Sequence, residues 1–414
     1  MAIAPLPPPA VPDPQPLEIP RYQRSGTFAA LGVHSFGLLW ASGWFWNATR
    51  WMSVFLCSFL VNDLTGSPFL VQLVGAAFFA PMFFGGAVAG AMADRFDRRR
   101  TILVQLVVLI PIAAGMGALV TSGAVSAWMV YPFMVAVGLG GVIDMTSRRA
   151  LVFDLVGESR ATNALALESM SMSGGSLLGS LFGGAVINFV GIGQAFFLIA
   201  ILYLVSLLLL TRVVSPPARL HGQAGSMRDA VKEGLRAVGR SQALIGILGV
   251  TVIMNLFYFS FMPLVPVFAR EMEVNALYAG LLASGTGFGM LLGSFTWAAW
   301  PVPRRGLIYV GGTLLAMAFL FAFAALQWYW VALVLLIGAG FGSSGFGTMQ
   351  AVLVMTTAEP EMRGRAMGIL SMAIGSLPFG MIGLGLIAQA TDPAAAVMIS
   401  VVSGLIVMGV WLNR

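Results

Sequence analysis

The stretch Gly90-Ala-Met-Ala-Asp94-Arg95-Phe-Asp97-Arg98-Arg99-Arg100 gathers Asp94, Arg95, Asp97, Arg98, Arg99 and Arg100 into one short loop of a chain that is only 9% charged. Long apolar runs stand on both sides of it. Positive residues resist translocation, so a short basic loop between two membrane helices lies on the cytosolic side. That loop sets both the solvent of this protein and its orientation.

Composition supports the same reading. The 414 residues are 58% hydrophobic, with mean hydropathy +0.91. Soluble domains carry about 25% charged residues, so this much apolar surface calls for lipid around it. The 50 glycines and 24 methionines suit close helix packing and adaptable apolar cavities. Cys57 is the only cysteine, which excludes an internal disulfide and a cysteine metal cluster. His34 and His221 are the only histidines, too few for a histidine metal site. Lys232 is the only lysine and Glu233 follows it, so there is no Gly-Lys-Ser/Thr phosphate loop and no nucleotide motor in this chain. The net charge of +6 could suggest nucleic acid, but its distribution points to membrane orientation. No cleavable signal peptide is evident.

A bilayer core needs about 20 apolar residues per helix. On that measure twelve spans are expected, near 36–61, 67–92, 101–121, 126–147, 162–188, 191–212, 242–268, 277–299, 306–325, 328–350, 364–389 and 393–412. With the N-terminus inside, the basic residues fall on the cytosolic side, apart from Arg270 outside and Arg50 within span one. One missing helix would invert half of that bias. Both termini are therefore expected in the cytosol, in a multi-pass protein of a bacterial inner membrane.

Four regions are expected. Residues 1–31 form a Pro-rich disordered tail. Residues 32–212 form an N-terminal six-helix bundle. Residues 213–241 form a cytosolic linker with an amphipathic surface helix. Residues 242–414 form a C-terminal six-helix bundle. The halves look related: Asn47 matches Asn255, Gly90 matches Gly293, and Glu158-Ser-Arg160-Ala matches Glu361-Met-Arg363-Gly. Their shared order is that of parallel repeats.

Charges within spans are costly, about 2.5–3.5 kcal/mol each on insertion scales, so three residues stand out. Arg50 lies about 21 Å into span one at 1.5 Å per residue, with Asn47 one turn before it. It either binds an anionic group of a substrate or serves an internal acid such as Glu168. Asp144 and Arg148 sit four apart in the favourable acid-first order; Asp144 is either a structural partner of Arg148 or a proton carrier. Glu168 shares a helix face with Gly175 and Gly179 and is the leading candidate to carry a proton, unless an arginine holds it as a fixed pair. Trp51, Asn255 and Tyr258 on spans one and seven either line a substrate cavity or serve ordinary packing.

The Gly90–Arg100 loop resembles the signature loop of the major facilitator superfamily between its second and third helices. Gly90, Asp94, Arg95, Arg98 and Arg99 fit the pattern, and Asp97 replaces its second glycine. The Asp144-Met-Thr-Ser-Arg148-Arg149-Ala-Leu-Val-Phe-Asp154-Leu segment resembles the drug:proton antiporter branch that includes macrolide and enterobactin exporters, with Thr146 and Phe153 in place of two prolines. Gly175, Gly179, Ser180, Gly183 and Gly184 resemble the family's antiporter motif, with Ser180 replacing its proline.

The resemblance implies an all-α membrane protein, twelve transmembrane helices in two pseudo-symmetric six-helix bundles. It implies a secondary active transporter rather than an enzyme: proton-coupled efflux of an amphipathic or hydrophobic small molecule by alternating access. Lysophospholipid or other lipid transport, or solute import by the same fold, are the alternatives. Small-molecule substrate, protons and the lipid bilayer are the expected partners of a monomer, with no nucleic acid and no cofactor. The resemblance also implies a conformational latch built from Gly90, Asp94, Arg95, Arg98 and Arg99, which Arg148 and Asp154 extend.

Overall fold

In the computed structural model the described residues are 29–95, 97–214, 236, 238–239, 241–299, 304–359 and 362–413. Nearly all of them are helical. The first half contributes α1 (His34–Thr65), α2 (Pro68–Arg95), α3 (Arg98–Thr121), α4 (Val130–Val156), α5 (Glu158–Phe189) and α6 (Ile192–Thr211). The second contributes α7 (Gln242–Glu271), α8 (Ala276–Ala299), α9 (Arg305–Ala325), α10 (Tyr329–Thr357), α11 (Arg363–Ala390) and α12 (Pro393–Leu412).

Ten of the helices are long and apolar enough to cross a membrane. The other two are α1, where Asn47 and Arg50 interrupt the apolar run, and α2, whose apolar part is counted over Pro68–Phe83. Many large apolar side chains face outward, among them Val104, Leu208, Leu307 and Ile406, as lipid-facing helices require.

Local sequence explains the helix ends and breaks. α1 stops at Gly66, whose φ of 62° suits a residue without a Cβ and whose N–H bonds to Asn62 O at 2.9 Å. α3 starts on Asp97, whose Oδ1 accepts the Arg100 N–H at 2.7 Å, an N-cap. α7 is expected as one helix but is built in pieces: a π turn at Met254–Tyr258, then a 3-10 segment at Phe259–Leu264 containing Pro263. Pro263 has no N–H to give to the preceding turn. The freed Ser260 carbonyl accepts a bond from Gln72 Nε2 on α2, at 2.9 Å. α11 is likewise broken, at Gly375-Ser376 ahead of Pro378.

α1 packs on α5, α6, α2 and α4, and α3 packs on α6 and α4. In the second half α10 packs on α8 and α9, and α12 packs on α9 and α11. Two broad seams join the halves, α5 against α8 and α2 against α11. Backbones touch in the first: a Cβ on Gly184 would lie 2.4 Å from Ala276 O, and one on Gly280 would lie 2.6 Å from Ser180 O.

The tail boundary needs correction. Ala29–Gly32 is a 3-10 turn docked on α5, with Ala30 buried and its N–H bonded to Asn163 Oδ1 at 3.0 Å. Residues 1–28 and most of the expected amphipathic linker helix lie outside the described residues.

Candidate functional site

Arg50 reaches from α1 toward α4 and α2. Its guanidinium carbon lies 5.2 Å from the Trp51 ring centroid and 5.8 Å from that of Phe78, within cation–π range. Its Cδ lies 3.9 Å from the position of a Cβ on Gly141, so the arginine stem runs alongside α4. The Arg50 Nε is buried without a hydrogen-bond partner. Among the described residues the ion pairs are Arg98–Asp154 and Arg148–Asp144, so Arg50 is not paired with Glu168.

Asp144 and Arg148 form a bidentate pair, both bonds at 2.8 Å. Arg148 also donates to Leu39 O at 2.9 Å and Ser42 Oγ at 3.0 Å on α1. Its side chain is 4% exposed, so it is a tie between α4 and α1. The expected place of Arg148 in the cytosolic loop network is therefore corrected: its bonds go to Asp144 and α1.

Glu168 on α5 lies beside that pair. A Cβ on Gly43 would come within 3.4 Å of Arg148 Nη1, 3.5 Å of Ser171 Oγ and 3.6 Å of Glu168 Oε1, so these groups converge over one bare stretch of α1. Glu168 Oε1 is buried and has no hydrogen-bond partner. A carboxyl held this way can exist neutral or charged, with Arg148 and Arg149 supplying opposing charge nearby.

Most of the small-residue face of α5 lies on α1, within the first half, and only its Gly184 end lies between the halves. A Cβ on Gly175 would be 2.4 Å from Asn47 Cβ, and one on Gly179 would be 2.4 Å from Ala48 O. Gly183 meets Leu56 and Phe55, while Gly184 meets α8. Ser180, where the resembled motif has proline, leaves α5 one unbroken helix. Asn47 donates to Gly43 O at 2.9 Å and Ser171 Oγ at 3.3 Å. Asn255 donates to Thr251 O at 2.8 Å, and Tyr258 to Ala339 O at 3.0 Å. These three side chains are engaged within their own halves, and only Trp51 joins Arg50.

At the basic loop, Arg98 pairs with Asp154 and also donates to Ala150 O. Arg99 donates to Leu210 O and Thr211 O at the end of α6, where cations favour a helix C-terminus. The side chains of Asp94 and Arg95, and the surroundings of Gly90, lie outside what the structure describes.

Sequence reasoning missed a set of bonds across the halves. Arg270 Nη1 donates to Asn62 O at 2.8 Å, and Asn62 Nδ2 to Pro266 O at 3.5 Å. Ser67 Oγ bonds Gln389 Oε1 at 2.7 Å. All join the α1–α2 turn region to the ends of α7 and α11. The signal for Arg270 was its isolation as the one basic residue on that side.

A polytopic helical bundle with buried ionisable groups and close inter-half seams defines a class: integral membrane transporters. The chain belongs to the Major Facilitator Superfamily, whose family model matches residues 39–377 and 248–414. It is 25% identical over 360 residues to the Enterobactin exporter EntS of Shigella flexneri, covering 83% of this chain and 81% of that one. It is 26% identical over 364 residues to the EntS of Salmonella typhi, with the same coverage. Among solved structures, a bacterial homologue of the human lysosomal transporter Spinster, inward-facing and occupied, aligns at TM-score 0.70 and 16% identity over 94% of this chain and 97% of that one.

Proposed function

We propose that this transporter is a proton-coupled exporter of an amphipathic or hydrophobic small molecule carrying an acidic group. The twelve helices act as two six-helix bundles that open a central pathway alternately to each side of a bacterial inner membrane, with both termini in the cytosol. The observation that carries the substrate reading is Arg50, a sheltered cation with aromatic faces on two sides and no carboxylate paired to it. An anionic head group meets that guanidinium, and the Trp51 and Phe78 rings take the apolar part beside it. The similarity to enterobactin exporters supports the outward direction.

Glu168 carries the coupling proton. It sits in the α1–α5 seam next to the Asp144–Arg148 tie, so its charge state bears on how the two helices pack. Asp144 is the weaker candidate, because both its oxygens are already bonded to Arg148. The bonds that join the α1–α2 turn to α7 and α11 hold the outer side shut in this conformation.

In energised everted vesicles, expression of the wild-type chain should drive uptake of an anionic amphipathic dye, and dissipating the pH gradient should stop it. Glu168→Gln should abolish the gradient-driven part. Uptake that is unchanged in the variant would remove Glu168 from the coupling.

A further inference from the structure

Beyond Arg50, a second polar feature sits between the halves. Trp51, Ser58, Ser176 and Ser180 face Phe261 and Thr286 across a narrow cleft between α1, α5, α7 and α8, with a cavity volume of about 30 Å³, room for one small polar group. No charged side chain lines it. Ser58 is 1% exposed, and its Oγ has no hydrogen-bond partner; neither has the Trp51 indole Nε1. Buried polar atoms left unpaired are uncommon and call for an occupant. Trp51 and Ser58 lie seven residues apart on one face of α1, about 10 Å along it at 1.5 Å per residue. Trp51 therefore has two roles in one place: its ring lies against Arg50, and its side chain, with the unpaired N–H, lines the cleft.

We propose that the cleft is a second contact point for the transported molecule and takes a neutral, acceptor-bearing group, such as an ester, amide or sulfonyl oxygen on an apolar frame. The indole N–H can only donate, so its partner must be an acceptor. The absence of a charged lining residue leaves an ionised group there without a counter-charge. The acidic end of the same molecule stays on the Arg50 side of the Trp51 ring. This inference rests on the transporter reading above but names a different group of the substrate.

The test uses dansylglycine and its methyl ester, which share a sulfonyl-bearing aromatic frame and differ in charge. Each is titrated against the full chain in lipid nanodiscs, reading saturable dansyl emission over protein-free discs. Trp51→Phe and Ser58→Ala should each weaken the ester about five-fold, the size of one lost neutral hydrogen bond. Arg50→Ala should bring the acid down to the affinity of the ester measured in the same variant. Wild-type ester affinity in both cleft variants, meaning that ordered water alone serves the two atoms, overturns the proposal. So does a wild-type chain that binds no ester. An Arg50→Ala chain that keeps the acid preference strikes the anion reading and leaves the cleft standing. Should a cleft variant fold poorly, Ser58→Cys on a Cys57→Ser background reads the same contact: the ester should slow alkylation of Cys at that position several-fold, and no protection overturns the proposal.

Discussion

At Asp144 and Arg148 two opposite charges lie side by side, 5% and 4% exposed, with both carboxylate oxygens and three guanidinium nitrogens bonded. Removing one partner leaves the other buried and uncompensated, which costs about 3–5 kcal/mol. Asp144→Ala should therefore lower the thermal midpoint of the purified protein markedly. The double change Asp144→Met with Arg148→Leu should recover most of the loss. A single variant as stable as the wild type would show that the pair has little structural weight. Arg50 differs because no carboxylate is bonded to it, so Arg50→Ala should cost less stability than Asp144→Ala while weakening anionic ligands. Differential scanning fluorimetry alongside ligand titration separates the two effects. Arg50→Lys should not restore binding fully, since a compact ammonium does not reproduce a planar guanidinium stacked on rings.

Between helices, α5 is the element that matters most. One side of it lies on α1 through Gly175, Gly179 and Gly183, and the other touches α8 through Gly184. Gly184→Leu would place a side chain where Ala276 O already lies, 2.4 Å from the Cβ. It should force the α5–α8 seam apart and reduce transport strongly without disturbing the Asp144–Arg148 tie. Disulfide trapping between cysteines placed on α5 and α8 should fall in that variant, and unchanged trapping efficiency would contradict the close approach. The α5 face was legible in the sequence because four-residue spacing maps directly onto a helix surface. The Asp144–Arg148 pair was legible for the same reason. The Gln72–Ser260 and Arg270–Asn62 bonds were not, because each depends on how helices far apart in sequence come together. The breaks in α7 and α11 were only half visible: Pro263 and Pro378 stand in the sequence, but hydropathy runs straight through both. Asp97 read as a lost family glycine, while in the fold it caps α3.

Over the whole molecule, the described halves meet along α5–α8 and α2–α11 and are tied by bonds at the α1–α2 end. The alternating access proposed above requires that those ties break when that end, the proposed outer side, opens. Arg270→Ala removes the bond to Asn62 O and should raise the population open at that end, seen as faster alkylation of a cysteine placed at Ser260 on a Cys57→Ser background; an unchanged rate would deny Arg270 that role. On the proposed topology the Arg98 and Arg236 segments should label from the same side of the membrane, and opposite sides would break the twelve-span reading.

Proton binding at Glu168 as the driver of the outer gate is open to a direct measurement that needs no substrate. Spin labels at Asp63 and Glu273, both exposed near the tied ends of α1 and α7, on a Cys57→Ser background, report that distance by pulsed dipolar spectroscopy in nanodiscs. A short and a long population should appear, with the long one growing as pH rises and Glu168 loses its proton. Glu168→Gln, fixed in the neutral form, should stay short at every pH. A single distance indifferent to pH, or the same pH response in Glu168→Gln, would contradict the coupling.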